Sequence, residues 1–189
     1  MKVHGTILFA CLCLLSFSLG AQPQKGNALL AGSLEIYGKN GNQDIPTSGV
    51  SVNPSVGVFV TDHLLVGMQM GVHYDQATFP NTLNKNWTLI MAPRVTYYFG
   101  NGPWQPFLST LVGVTHGAQQ FFPDNQPEIR IVQNNLMYDV EAGVAYWLTE
   151  KLSADGYLRY TSQVNIHDVS LVTSRSLNGG VRFSFLWSR

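Results

Sequence analysis

The sequence predicts an all-β protein, eight antiparallel strands closed into a transmembrane β-barrel. Three observations carry this. First, Val52 to Tyr74 alternates with period two on both sides of Asp62. Val52, Pro54, Val56, Val58, Val60, Leu64, Val66, Met68, Met70, Val72 and Tyr74 fall on one face; Asn53, Ser55, Gly57, Phe59, Leu65, Gly67, Gln69, Gly71 and His73 fall on the other. Alternation held through two arms and a tight turn is a β-hairpin with one apolar face. Each arm has the ~9–11 residues of a tilted strand crossing a bilayer. Second, only 12% of residues are charged, about half the ~25% usual for soluble domains. Third, beyond the N-terminus no run reaches the ~18 apolar residues of a spanning helix.

At 189 residues the chain is expected to form one domain, over 22–189, behind a signal peptide over 1–21. Lys2 and His4 supply a basic start, Ile7 to Phe17 an apolar core, and Ser18-Leu19-Gly20-Ala21 a small-residue exit. Cleavage before Ala21 or Gln22 fits, with Gln22 preferred. Leu8-Phe9-Ala10-Cys11 has the outline of a lipoprotein site, but the apolar core before it is too short and continues after it. Cys11 and Cys13 both lie in this segment. The mature chain is therefore expected to lack a disulfide, a thiol nucleophile and a thiolate metal site. The net charge of zero gives no electrostatic footprint for nucleic acid.

The elements follow in order. Gln22 to Asn27 is a polar lead. Strand 1 spans Leu29 to Tyr37, with Leu30, Leu34 and Ile36 opposite Ser33, Glu35 and Tyr37. Gly38 to Gly49 is rich in Gly, Asn and Pro and reads as a loop. Strands 2 and 3 are the hairpin above, and Asp75 to Asn86 is the next loop. Strand 4, Trp87 to Phe99, turns Arg94, Thr96 and Tyr98 inward. Gly100-Asn101-Gly102-Pro103 is a short turn. Strand 5, Gln105 to Thr115, separates Leu108, Thr110, Val112 and Val114 from Phe107, Ser109, Leu111 and Gly113. His116 to Asn135 is the longest connection. Strand 6, Leu136 to Leu148, sends Asp139, Glu141, Gly143 and Trp147 inward. Thr149-Glu150-Lys151 turns the chain into strand 7, Leu152 to Thr161, with Asp155, Tyr157 and Arg159 inward. Ser162 to Thr173 is a loop. Strand 8, Ser176 to Trp187, sends Asn178, Gly180, Arg182 and Ser184 inward and Val181, Phe183, Phe185 and Trp187 outward.

Connections thus alternate long and short. Short periplasmic turns and long extracellular loops are the asymmetry of outer-membrane barrels. A secreted, lipocalin-like soluble barrel would carry its apolar face inside and many charges outside. Here the charges of strands 2 to 8 fall on the face that also carries glycines such as Gly143 and Gly180, and they are too few to wet an exterior, so they suit a lumen. Aromatics gather at strand ends: Phe99, Trp104, Tyr146, Phe185 and Trp187 on one side, Tyr74, Trp87, Tyr138 and Tyr160 on the other. These are expected to form interfacial girdles.

Pro54 to Asp62, Leu64 to Gly71, Pro93 to Phe99, Pro106-Phe107-Leu108 with Gly113, and Gly143 to Leu152 succeed one another in an order and spacing that resembles the bacterial outer-membrane β-barrel family. These are the OmpA-like, porin-family small barrels in the form common in Bacteroidota. The resemblance covers nearly all of the mature chain. It implies residence in the outer membrane among its lipids. Asn178, Gly180, Phe183 and Phe185 match the polar-x-Gly-x-x-aromatic-x-aromatic signal by which such barrels engage the barrel-assembly machinery. Ser188-Arg189 follow Trp187, where many members stop on an aromatic. In a bacterial protein the Asn86-Trp87-Thr88 glycosylation pattern is expected to be chance.

One inward constellation has a geometric basis. Glu141 and Arg159 each lie nine residues from Glu150, so symmetric pairing about that turn sets them opposite each other. Glu35, Arg94, Asp139, Asp155 and Arg182 extend a lumen charge network. An eight-stranded barrel has just enough interior for its own side chains, and buried charges need partners, so the network is expected to be structural. The expected protein is a monomer with a plugged polar lumen, displaying its loops to an unidentified extracellular partner. A narrow pore or small-solute conduit is the alternative, and a lipid A-modifying enzyme the third. The enzyme would need a Ser-His pair. The one candidate, His167 with Ser170, is spaced for opposite faces of a strand, so no catalytic activity is expected. His63, His73 and His116 show no metal-ligand spacing, and Asp124, Asn125 and Glu128 read as a polar loop rather than a calcium site. No phosphate loop or dinucleotide motif is present, and no cofactor is expected.

Overall fold

A computed structural model describes residues 23–40, 46–79, 82–123, 127–166 and 172–187. It contains β1 (Ala28–Asn40), β2 (Pro46–Phe59), β3 (Leu64–Phe79), β4 (Thr82–Tyr98), β5 (Trp104–Pro123), β6 (Ile129–Trp147), β7 (Leu152–Asn165) and β8 (Val172–Trp187). Each strand pairs antiparallel with its chain neighbour, and β8 returns to β1 to close a barrel. No helix of the described residues is long and apolar enough to cross a membrane.

The stagger can be read from cross-strand partners. Starting at Trp187, the partners run Ala28, Val58, Val66, Val95, Thr110, Val140, Tyr160 and back to β8 at Leu177. The circuit returns ten residues from where it began. Over eight strands that stagger tilts them by roughly 40–45°, given a ~3.4 Å rise and ~4.8 Å spacing. It also fixes every side chain in or out. Val56, Val58, Val66, Met68, Met70 and Val72 face out, while Phe59, Leu65, Gln69, Arg94 and Glu141 are buried inside. An apolar exterior around buried charge is the reverse of a soluble barrel.

Two of the three short turns share one chemistry. Thr61 Oγ1 accepts from the Leu64 N–H at 3.0 Å, and Thr149 Oγ1 accepts from the Leu152 N–H at 3.1 Å. In each turn the residue before the threonine donates to the same leucine carbonyl. Threonine closes the turn by replacing a backbone acceptor.

The segments expected as long loops differ from that expectation: the ladder runs well into them. Asp75 pairs with Asn86 and Phe79 with Thr82. Gln120 pairs with Arg130 and Phe121 with Ile129. Backbone pairing does not require an apolar face. Where both faces are wetted, alternation in the sequence fades while the strand goes on. Pro54, which cannot donate to the ladder, brings no register shift with it. Val52–Val72 and Ser55–Gln69 keep one register, with the β2–β3 ladder missing only the pairs between them. Proline lacks a donor, so the ladder skips there without shifting. The one register shift in the β7–β8 pairing is at Gln163/Val164.

The interior is stacked in layers. Leu29, Phe59, Leu65, Tyr98, Phe107, Trp147 and Leu186 form an apolar cluster at the end where the short turns lie. Ala92, Leu111 and Met137 form a second cluster, with Ile90 packed against it.

Candidate functional site

Directly above the lower apolar layer sits Glu141 on β6, fully buried. Three arginines from three other strands converge on it. Arg94 (β4) donates through Nη2 to Oε1 at 2.6 Å. Arg182 (β8) donates through Nη1 to the same oxygen at 2.7 Å. Arg159 (β7) donates through Nε and Nη2 to Oε2 at 3.1 and 2.9 Å. The alternation of each strand turns these residues inward, and the register brings them to one height; Glu141 and Arg159 are direct cross-strand partners.

A single carboxylate cannot balance three cations, and the surroundings supply the rest. Asp155 takes the Arg182 Nε–H at 2.9 Å and is held by the hydroxyls of Ser153 at 2.7 Å and Ser184 at 2.9 Å. Arg94 also donates to Thr96 Oγ1 at 3.0 Å and Gln69 Oε1 at 3.1 Å. The Arg182 guanidinium lies 5.0 Å from the Phe107 ring centre and 5.5 Å from that of Tyr157, a favourable cation–π placement when desolvated. Charge-assisted hydrogen bonds of this length are strong. A buried charge left without one is costly.

Five of the charges singled out from sequence, Arg94, Glu141, Asp155, Arg159 and Arg182, thus form one connected cluster. Two stand at its edge. Glu35 accepts the Tyr157 hydroxyl at 2.5 Å and lies 3.8 Å from Arg159. Asp139 comes only to 4.0 Å of Arg159 Nε. On β8, Phe183 and Phe185 face outward, Gly180 pairs with Tyr157, and Asn178 pairs with Arg159. His63 stacks near Tyr97 at 6.0 Å, His73 sits 3.1 Å from Asp75, and His116 contacts Asn134 at 2.6 Å. They occupy separate places. Among the described residues no group of three or more His, Cys, Asp or Glu could hold a metal. His167, Ser170, Asp124, Asn125 and residues 1–22 lie outside the described residues.

Sequence reasoning missed the apolar floor. The expected lumen is polar throughout, but Phe59, Tyr98, Phe107 and Trp147 close its lower end. The signal was present: each is an inward-phase aromatic within a few residues of a short turn. Trp147 Nε1 donates to Gln105 Oε1 at 3.1 Å, which satisfies the one polar atom of that ring. On the other side of the charge layer a vestibule of about 820 Å³ opens, lined by Asn53, His73, Asp139 and Asn178 among others.

A closed eight-strand circuit, an apolar belt and charge kept inside define a small membrane-spanning β-barrel. The chain belongs to the family described as outer membrane protein beta-barrel domain, whose model matches residues 9–185, and this places it in the bacterial outer membrane. Among solved structures it resembles Ail, the attachment invasion locus protein of Yersinia pestis, with 12% identity, a TM-score of 0.55, and coverage of 86% of this chain and 99% of that one. It also resembles the outer membrane protein OprG from Pseudomonas aeruginosa, with 12% identity, a TM-score of 0.52, and coverage of 89% and 99%. Identities this low concern the fold alone. No curated protein matches the chain.

Proposed function

We propose that this protein is a non-conducting outer-membrane barrel that serves as a structural element and holds its extracellular hairpins out toward a partner, surface or matrix. The observation that carries the reading is the double closure of the lumen: Glu141 clamped by three arginines, over a floor of Phe59, Tyr98, Phe107 and Trp147. An ion crossing here would have to part several buried charge-assisted bonds, each worth about 1.5–3 kcal/mol, and then displace packed rings. The interaction half of the proposal rests on the β5–β6 hairpin. Its ladder climbs from Trp104–Tyr146 to Phe121–Ile129, roughly 40 Å along the membrane normal against a lipid-facing band of ~25 Å. It carries exposed Ile129, Ile131 and Val132 beyond the bilayer.

In the same reading residues 1–21 direct export and are removed. Asn178, Gly180, Phe183 and Phe185 serve insertion by the assembly machinery, the protein works as a monomer, and it performs no catalysis. The vestibule supports a second reading, a narrow small-solute conduit, in which the Glu141 layer would have to move. Purified protein in planar bilayers separates the two. The proposal expects no steady unitary current at any holding potential; reproducible unitary steps would overturn it.

A further inference from the structure

The barrel wall is not closed to the same height all round. β1 and β8 pair from Ala28–Trp187 up to Ser33–Arg182. Above that, no ladder pair joins them among the described residues. Yet β1 continues to pair with β2 as far as Asn40, and β8 with β7 as far as Val172. Ser33 stands five residues above Ala28, roughly 12 Å along the normal. The gap therefore begins near the middle of a ~25 Å band and occupies its outer-leaflet half. Open sheet edges are not tolerated against lipid, but are where they line a cavity. Here they do: the vestibule reaches the gap, and Leu34, Leu177 and Val181, each more than half exposed, line it together with Asn53 and Asp139 inside.

A side-chain tie stands where the backbone ladder stops. The Tyr157 ring lies over Gly180, where an added Cβ would fall 2.6 Å from the phenol oxygen. The hydroxyl passes beyond it to Glu35 on β1 at 2.5 Å. The interior side has unmet acceptors. Asn53 Oδ1 and Asp139 Oδ1 are buried and accept no hydrogen bond among the described residues. The charged groups lining the vestibule are Glu35, Asp139 and Arg159, and Arg159 is already engaged with Glu141. Buried acceptors and a surplus carboxylate ask for a cationic donor.

The geometry points to a side portal between β1 and β8, which admits a single-chain amphiphile with an ammonium head from the outer leaflet. The head rests on Asn53 and Asp139, and the chain passes out between Leu34 and Leu177. The portal concerns the wall above the charge layer, so it stands or falls separately from the closure of the floor.

The test uses the full barrel in phosphatidylcholine nanodiscs, with Cys11 and Cys13 replaced by serine, and native mass spectrometry to count bound dodecylamine or dodecyl sulfate. One dodecylamine per barrel is expected, with dodecyl sulfate bound at least about tenfold more weakly. A Leu34→Cys/Val181→Cys pair would oppose each other if the ladder continued. Oxidising it, or bridging it with a short bismaleimide where the gap is too wide for a disulfide, is expected to abolish binding. The reduced, unbridged protein serves as the folding control and is the reference against which the loss on bridging is read. Asp139→Asn is expected to weaken dodecylamine about tenfold. Undiminished binding to the bridged barrel, equal binding of dodecyl sulfate, or no dodecylamine bound to the parent would each overturn the portal.

Discussion

Arg94 on β4 and Glu141 on β6 meet at 2.6 Å although β5 lies between their strands. The contact reaches over the inner face of β5, so it needs three strands paired and curved together. Removing one partner of a buried pair costs about 3–5 kcal/mol, and Glu141 has three. Glu141→Gln is expected to lower unfolding stability by at least that amount in urea titrations from lipid vesicles. Arg94→Met should cost less in the Glu141→Gln background than in the parent, because the two residues share one interaction. Equal costs would mean that the arginine acts elsewhere.

The floor predicts an induced conductance. Phe59 and Tyr98 stand 5.6 Å apart, and Tyr98 and Phe107 5.7 Å, a chain of packed rings. Trp147 joins the same cluster and is fixed by Gln105. Phe59→Ala with Trp147→Ala removes two of the largest members. Combined with Glu141→Gln, which loosens the charge layer above, that double variant, and not the parent, is expected to show flickering currents in planar bilayers. The cost is about 3–5 kcal/mol for each ring, which denaturant titration would check.

Two glycines in neighbouring strands should respond differently. A Cβ on Gly143 would fall 2.6 Å from the tip of the Phe107 ring and against the Gly156 carbonyl, whereas a Cβ on Gly156 meets nothing within 4 Å. Gly143→Ala is expected to destabilise by about 1–3 kcal/mol through overpacking. Gly156→Ala should be neutral within about 0.5 kcal/mol. The same titration reads both, and a tolerant Gly143 would mean that the floor is looser than it looks.

Depth in the membrane can be read with arginine. Met70 sits near the middle of the outward apolar band, while Ile131 rides the β5–β6 hairpin above it. Met70→Arg is expected to cost about 2–4 kcal/mol, and Ile131→Arg about 0–1 kcal/mol, in folding measurements into bilayers. Equal penalties would move the membrane boundary upward.

The sequence by itself determined the strand number, the inside and outside of each strand, and the periplasmic end. Period-two alternation, short turns and charges confined to one phase are local properties, written into stretches such as Val52 to Tyr74 and repeated along the chain. It also placed Glu141 opposite Arg159, because a tight turn at Glu150 fixes register by counting. It could not show where the wetted ladders end, since Asp75–Asn86 pairing depends on backbone groups common to all residues. Nor could it separate Arg94 and Arg182, which reach Glu141, from Glu35 and Asp139, which stay at the edge. That choice depends on a ten-residue stagger accumulated over eight pairings and on the closure of β8 against β1. The tertiary structure alone decided that, among the described residues, the closure stops at Ser33–Arg182, because the first and last strands meet only after the whole circuit has formed.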